Sequence, residues 1–391
     1  PIAVKWFDST MRGAPTINGT AGALIAALDA CLITGFGPVT PTGITVSGGI
    51  ATATVPSGQS FVQNAVVLVS GATPSALNGE ARVLTSSSTQ ITFATTAADG
   101  AASGTIEIRY APVGQWQKVF TGANKAVYRS TDVTGPQHYL RVDDAGTTTA
   151  RVRAYESMTD VDTGAGPFPT EAQYTGGGHW FKSGAANATA VRWRVIADSQ
   201  TVLIAVAAGS GATATNLAAP LRGFGTPIAL RPAGDVWCSF LAVSDGGIST
   251  QAPGRLEGGT ASNTNTGQVT APRGWQGLGS ALLLDAKPYT GGTAVSGNDS
   301  ALGAFPSEVD GELKLSRMYL VEKGTNKPPR AVVPGVFHIP QTGTYGVLKD
   351  GDTQAGAGDL AGRTLLMLET GVSMSTAPSG VYAVDITGPW R

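Results

Sequence analysis

Charge is scarce in this 391-residue chain. Lys, Arg, Asp and Glu make up 14% of it, against roughly 25% in ordinary globular domains. The 26 basic and 27 acidic side chains nearly cancel, for a formal charge of −1. There is no basic excess to attract nucleic acid or an anionic membrane, so neither is expected as a partner. Cysteine is almost missing: Cys31 and Cys238 are too few for a disulfide framework. Both lie in apolar surroundings and read as buried free thiols, which fits synthesis in a reducing compartment. Long apolar runs are also lacking. The longest, Ala21 to Ile33, is too short to cross a bilayer and contains Asp29, so membrane insertion is not expected. The opening PIAVKWFDST has no charged region followed by an apolar one, and its Pro1 suggests a removed initiator Met. The expectation is a soluble, non-secreted chain.

The residues that carry chemistry are equally sparse. A serine hydrolase needs an activated Ser, a positioned His and an orienting acid, but no G-x-S-x-G elbow occurs. The three histidines, His138, His179 and His338, read as surface or internally satisfied side chains. With two distant cysteines they give no zinc spacing. GAGDLAGRT (356–364) lacks the Lys and spacing of a phosphate-binding loop. Acidic pairs are the one opening for metal chemistry: Asp160 and Asp162 in TDVDTGAG, and Asp350 and Asp352 in KDGDTQAG. Short D-x-D loops with Gly can hold calcium through oxygens. Neither has the full EF-hand spacing, and Asp in such loops commonly caps a turn by accepting nearby backbone N–H groups. Carboxylate pairs could also serve glycoside hydrolysis, but nothing selects one pair over another. The chain is therefore read as no enzyme, with no cofactor and no catalytic residue.

What is abundant is glycine, 53 residues, and alternating apolar sequence. ARVRAYE (150–156) and VRWRVIAD (191–198) alternate Arg with Val, Ala, Ile or aromatic residues, the period of a half-buried strand. Similar strands recur from Thr40 to Arg391 with no second long helix, which disfavours a parallel β-α-β design. The fold expected is mainly β: antiparallel β-sandwich domains with one N-terminal amphipathic helix. Residues 1–39 form an arm and helix. Residues 40–111, with six strand candidates in roughly 70 residues, form a small Ig-like or barrel-like module, which an insertion into a larger body would explain. Residues 112–391 form a large antiparallel sandwich with long Gly/Thr/Ser-rich loops at 209–227, 245–280, 289–311 and 349–363.

The helix is placed over 18–35. Leu24, Ile25, Leu28, Cys31 and Leu32 make one stripe, Asn18 or Thr20 can cap its start, and Gly35 with Pro38 ends it. Such a stripe must dock, and its residues together with Phe7 are the candidates for packing or assembly. The preferred partner is the chain's own sheet, with the Phe7 to Ile17 arm reaching outward. Of the seven Trp residues, Trp116, Trp193 and Trp237 are assigned to strands and core. Trp180 and Trp275 stand beside glycines in expected loops, where a ring can stack on a sugar or a partner.

The segment WFDSTMRGAPTINGTAGALIAALDACLITGFG (Trp6 to Gly37) resembles the N-terminus of a group of tailed-bacteriophage virion proteins. ITVSGGIATATV and VVLVSGATPSALNGEARVLT are similar to a small β-module of phage tail and baseplate chains, in which a GATPxALNG turn recurs. YRSTDVTG through DTGAGPFPT (128–170) and GGGHWFKS (176–183) also resemble this group, so the likeness covers about the first half. It implies a virion context and no active site. The function expected is a structural subunit of a phage virion, in the tail tip or baseplate region. It would be made in the host bacterial cytoplasm and assembled with other tail proteins, as a homo-oligomeric ring of threefold or sixfold symmetry. The alternatives are a host-surface glycan-binding module, with host polysaccharide as partner, and a capsid decoration protein.

Overall fold

The computed structural model describes residues 2–56, 61–207, 219–246, 254–258, 269–290, 294–324, 327–371 and 378–391. Within them the chain is mainly β, in three antiparallel sheets. The first joins eight strands between Phe36–Val39 and Glu107–Tyr110, in the region read as a small module. The second runs from Trp116–Gly122 through Lys125–Ser130, Tyr139–Asp143 and Thr149–Met158 to Gly164–Phe168, with Gly178–Phe181 paired to Thr149–Met158. The third and largest begins with Lys5–Asp8 beside Trp193–Ala197 and ends with Gly380–Asp385, Thr364–Thr370 and Thr353–Ala355. Among the described residues no helix is long and apolar enough to cross a membrane.

The pairing of Lys5–Asp8 with Trp193–Ala197 corrects the expectation of an outward arm. Phe7, Met11 and Ile17 are 1%, 3% and 0% exposed. Alternation explains the placement. Phe7 points into the interior shared with the helix, and buried Lys5 is held by Glu80 at 2.6 Å and the Val113 carbonyl at 2.9 Å.

The helix is shorter than its stripe suggested: an α-helix over Ala23–Asp29 continues as a π-helix over Ala30–Thr34. Its start moves because the preceding residues are engaged elsewhere. The Asn18 side chain accepts the Thr20 N–H at 3.0 Å, and the Gly19 N–H donates to the Asn187 carbonyl at 2.8 Å. Gly35, with φ 71°, ends the helix where expected. Leu24, Ile25, Leu28, Cys31 and Leu32 are all buried in one core with Tyr110, Tyr128 and Val142. The stripe therefore docks on the chain's own sheets.

Several strands were not legible. Pro329–His338 contains two prolines and a glycine, yet is a strand. Its pairing skips from Val332 opposite Tyr319 to Phe337 opposite Arg317, so Pro334 sits in a bulge where no ladder N–H is lost. Leu282–Pro288, Leu221–Gly225 and Val269–Ala271 lie in or beside segments read as loops. Much of the rest of 209–227 and 245–280 lies outside the described residues. Trp237 is half-buried in a turn before Phe240–Ala242, not in a strand core.

Candidate functional site

The candidate residues separate by exposure. Phe7, Leu24, Ile25, Leu28 and Leu32 are interior and offer no outward docking face. Both cysteines are buried and free, and burial raises the thiol of Cys238 to about 12.

Trp180 is not a loop residue. It lies in the strand Gly178–Phe181, is 1% exposed, and donates its Nε1–H to the Ala242 carbonyl at 2.8 Å. The preceding glycines signal close packing: a Cβ on Gly178 would lie 2.3 Å from the Val243 side chain. Stacking of Trp180 on a ligand is thereby ruled out.

The acidic pairs are engaged by the chain's own donors. Asp160 accepts the N–H groups of Asp162 and Thr163 at 2.8 and 2.9 Å, the turn-capping arrangement. Asp162 meets Lys125 at 2.8 Å and Arg141 at 2.5 Å. Asp350 is a buried ion-pair partner of Arg194, while Asp352 accepts the Lys349 N–H at 2.8 Å. Each of the four carboxylates is thus already engaged by a cation or a backbone amide of the chain itself. Among the described residues no group of three or more His, Cys, Asp or Glu is disposed to hold a metal.

His138 bonds Ser239 Oγ at 2.7 Å, and His338 bonds Asp299 at 2.9 Å, both buried. Half-buried His179 bonds Thr149 Oγ1 at 3.0 Å and contacts Arg151. Burial lowers His138 to about 4, and burial together with the Arg151 charge does the same to His179.

Trp275 is the candidate that remains open to solvent, at 50% exposure. It stands in a turn closed by the Gly277 N–H on the Gly274 carbonyl, at 2.8 Å. Gly277 has φ +75°, and a Cβ there would lie 2.6 Å from Trp237 Nε1, so the turn needs glycine. Arg273 opens the turn. Its guanidinium lies 4.6 Å from the Trp237 ring centroid and donates through Nε and Nη2 to Glu156, at 2.7 and 2.8 Å. Glu156 belongs to Thr149–Met158, so the turn is tied across to the second sheet.

Beneath it, Arg330 forks onto Asp235 at 2.6 and 3.0 Å. It also reaches Glu322 at 3.2 Å and the Arg273 carbonyl at 2.7 Å. The Arg330 and Asp235 side chains are 5% and 1% exposed. Burial alone would lower the Arg330 pKa, but its bonds to Asp235 and the surrounding negative charge raise it above the ordinary value.

Two recesses flank the indole. One, of about 410 Å³, is lined by Leu230, Arg231, Asp235, Glu322 and the segment 327–330. The other, of about 490 Å³, is lined by Arg231, Asp235, Trp237 and Gln276 among others. Arg231 and Trp275 border both, with the guanidinium carbon 5.5 Å from the indole centroid. The result is an aromatic face on an anchored turn, between two recesses with charged side chains at hand, an arrangement suited to a flat ligand with polar substituents. Sequence reading found the ring but missed Arg231, Asp235, Glu322 and Arg330, which carry no motif and come from separate strands and turns.

A scan against protein-family models finds no match, and a search of curated proteins finds no similar sequence.

Proposed function

We propose that the chain is a structural subunit of a bacteriophage tail, in the tail tip or baseplate region, working by assembly with other virion proteins. The observation that carries this reading is where large apolar side chains stay exposed. Val236, Leu278, Tyr289, Leu302 and Val309 are 63%, 72%, 83%, 52% and 95% exposed. These five lie on connections between strands of the largest sheet, where solvent-facing apolar side chains are available to meet a partner. The likeness of Trp6 to Gly37 to phage virion chains supplies the context. The β-sandwich arrangement, a separate 40–111 module and a threefold or sixfold ring belong to the same proposal. The 36–110 region lies, in chain order, between the neighbouring strands Lys5–Asp8 and Trp193–Ala197, which supports an insertion. Mass spectrometry and cryo-EM of purified virions test the reading. The chain is expected in stoichiometric amount as density in the tail, and its absence from mature particles would overturn it.

A second reading, host-surface glycan binding, is favoured by the half-exposed Trp275 between its two recesses. Trp275→Ala is expected to impair adsorption to host cells while particles still assemble. Unchanged adsorption would overturn it.

A further inference from the structure

We propose that the recesses around Trp275 take an acidic saccharide, with one sugar face stacked on the indole and a sugar carboxylate held by Arg231 and Lys327. This deepens the glycan-binding reading and rests on it.

Three observations carry it. The first is the ring itself: a half-exposed indole presents an apolar face to the C–H side of a pyranose, while its surroundings supply hydrogen-bonding groups. The second is charge. The larger-scale balance of the chain is slightly negative, yet the recess beside 327–330 is bordered by the cations Arg231, Lys327 and Arg330 against the carboxylates Asp235 and Glu322. Both carboxylates are bonded to Arg330 in the floor. Arg231 and Lys327 are exposed, and among the described residues neither has an acidic partner. The unbalanced charge at the rim is therefore positive, and a guanidinium beside an ammonium suits a carboxylate. The third is rigidity. Glu156, Arg273, Asp235 and Arg330 fix the turn and its floor before any ligand arrives, which lowers the ordering cost of binding.

The volumes, about 410 and 490 Å³, fall in the range of small-ligand sites, roughly 300–1,000 Å³. A linear glycan crossing the Trp275–Arg231 pair places one unit in each recess.

The test uses the full chain and three carboxylated probes: tetragalacturonate, tetramannuronate and tetrasialate. The methyl ester of each serves as its uncharged match. Binding is read by saturation-transfer NMR and titration calorimetry. At least one acid is expected to bind saturably, and about tenfold or more tighter than its ester. Trp275→Ala is expected to weaken that probe by about tenfold or more, with Trp275→Phe restoring most of the loss. Arg231→Gln with Lys327→Gln is expected to bring the acid down to the level of its ester and leave the ester unchanged. Thermal melts of each variant confirm that it is folded. If none of the three acids binds at about 10 mM, the inference is overturned. Equal binding of acid and ester, still lost in Trp275→Ala, overturns the acidic class and leaves the glycan reading standing. Binding that survives Trp275→Ala overturns the location.

Discussion

The N-terminal helix and the Trp275 turn are held by the same device and point their aromatic and aliphatic groups in opposite directions. At the helix, Asp144, wholly buried, accepts the N–H groups of Leu24 and Ile25 at 2.8 and 3.2 Å and pairs with the equally buried Lys182. A carboxylate from a strand end more than a hundred residues away thus does the capping that Asn18 or Thr20 was expected to do. Asp29 adds a second tie, to Lys118 at 2.8 Å and Tyr128 at 2.8 Å. At the turn, Glu156–Arg273 and Asp235–Arg330 play the equivalent part. The helix uses its ties to seal an apolar stripe inside, whereas the turn uses them to hold an indole out in solvent. The contrast teaches that exposure of Trp275 is built rather than left over. A ring with a fixed floor and anchored neighbours has little freedom to fold back into the core.

The largest expected effect comes from breaking the helix tie. Asp144→Ala leaves the Lys182 ammonium buried without its carboxylate and two helix amides without an acceptor. It should cost about 3–5 kcal/mol, the usual penalty for removing one partner of a buried pair. Denaturant titration measures this, and Asp144→Ala with Lys182→Met should recover most of the loss because no charge is then stranded. A single-variant loss below about 1 kcal/mol would mean the pair is solvated, and the comparison would fail on the helix side.

Next comes the stripe. Leu28→Ala removes a fully buried side chain and should cost about 2–5 kcal/mol by denaturant titration. The same truncation would be nearly silent if the stripe faced another subunit.

The third effect is acid sensitivity on the side of the turn. His138 sits between Ser239 and the Phe168 ring, with Glu156 and Arg129 the nearby charges. Burial lowers its pKa from the ordinary 6.5 to about 4. The folded protein therefore binds the proton less readily than the unfolded chain. The stabilisation is complete above pH 6.5 and is lost as pH falls towards 4, a change on the order of 3 kcal/mol at most. Melting curves at successive pH values should show this decline, and His138→Gln should flatten it, leaving the smaller share of half-buried His179.

The smallest stability effect belongs to the ring on which the glycan-binding reading turns. Trp275→Ala should move stability by less than about 0.5 kcal/mol, because the indole covers little core. A large loss of melting temperature would show that the ring supports the fold, and would erase the contrast with Leu28.

The apolar stripe and the Gly35 stop were legible because a helix imposes its 3.6-residue period on consecutive residues. The Arg-alternating strands were legible because a sheet imposes a period of two. Pro329–His338 was not, since its internal Pro334 is admitted only by a bulge that exists through pairing with Ser316–Glu322. Trp180 and Trp275 look alike in sequence, each with glycine one or two residues before it. Gly178 admits Val243 against the backbone and buries Trp180, while Gly277 admits Trp237 beneath the turn and leaves Trp275 above it. Local sequence carries no information about which neighbour arrives.

By itself the sequence determined the mainly β character, an N-terminal helix with its inward stripe and the burial of both thiols. Each depends on periodicity or apolarity within a few residues. Only the tertiary structure decided that Lys5–Asp8 joins the largest sheet, that Asp144 caps the helix, and that Arg231, Asp235, Glu322 and Arg330 gather around Trp275. These are ion pairs, amide caps and strand pairings between residues far apart in the chain. Their partners are set by which surfaces the sheets bring together, and no local pattern records that.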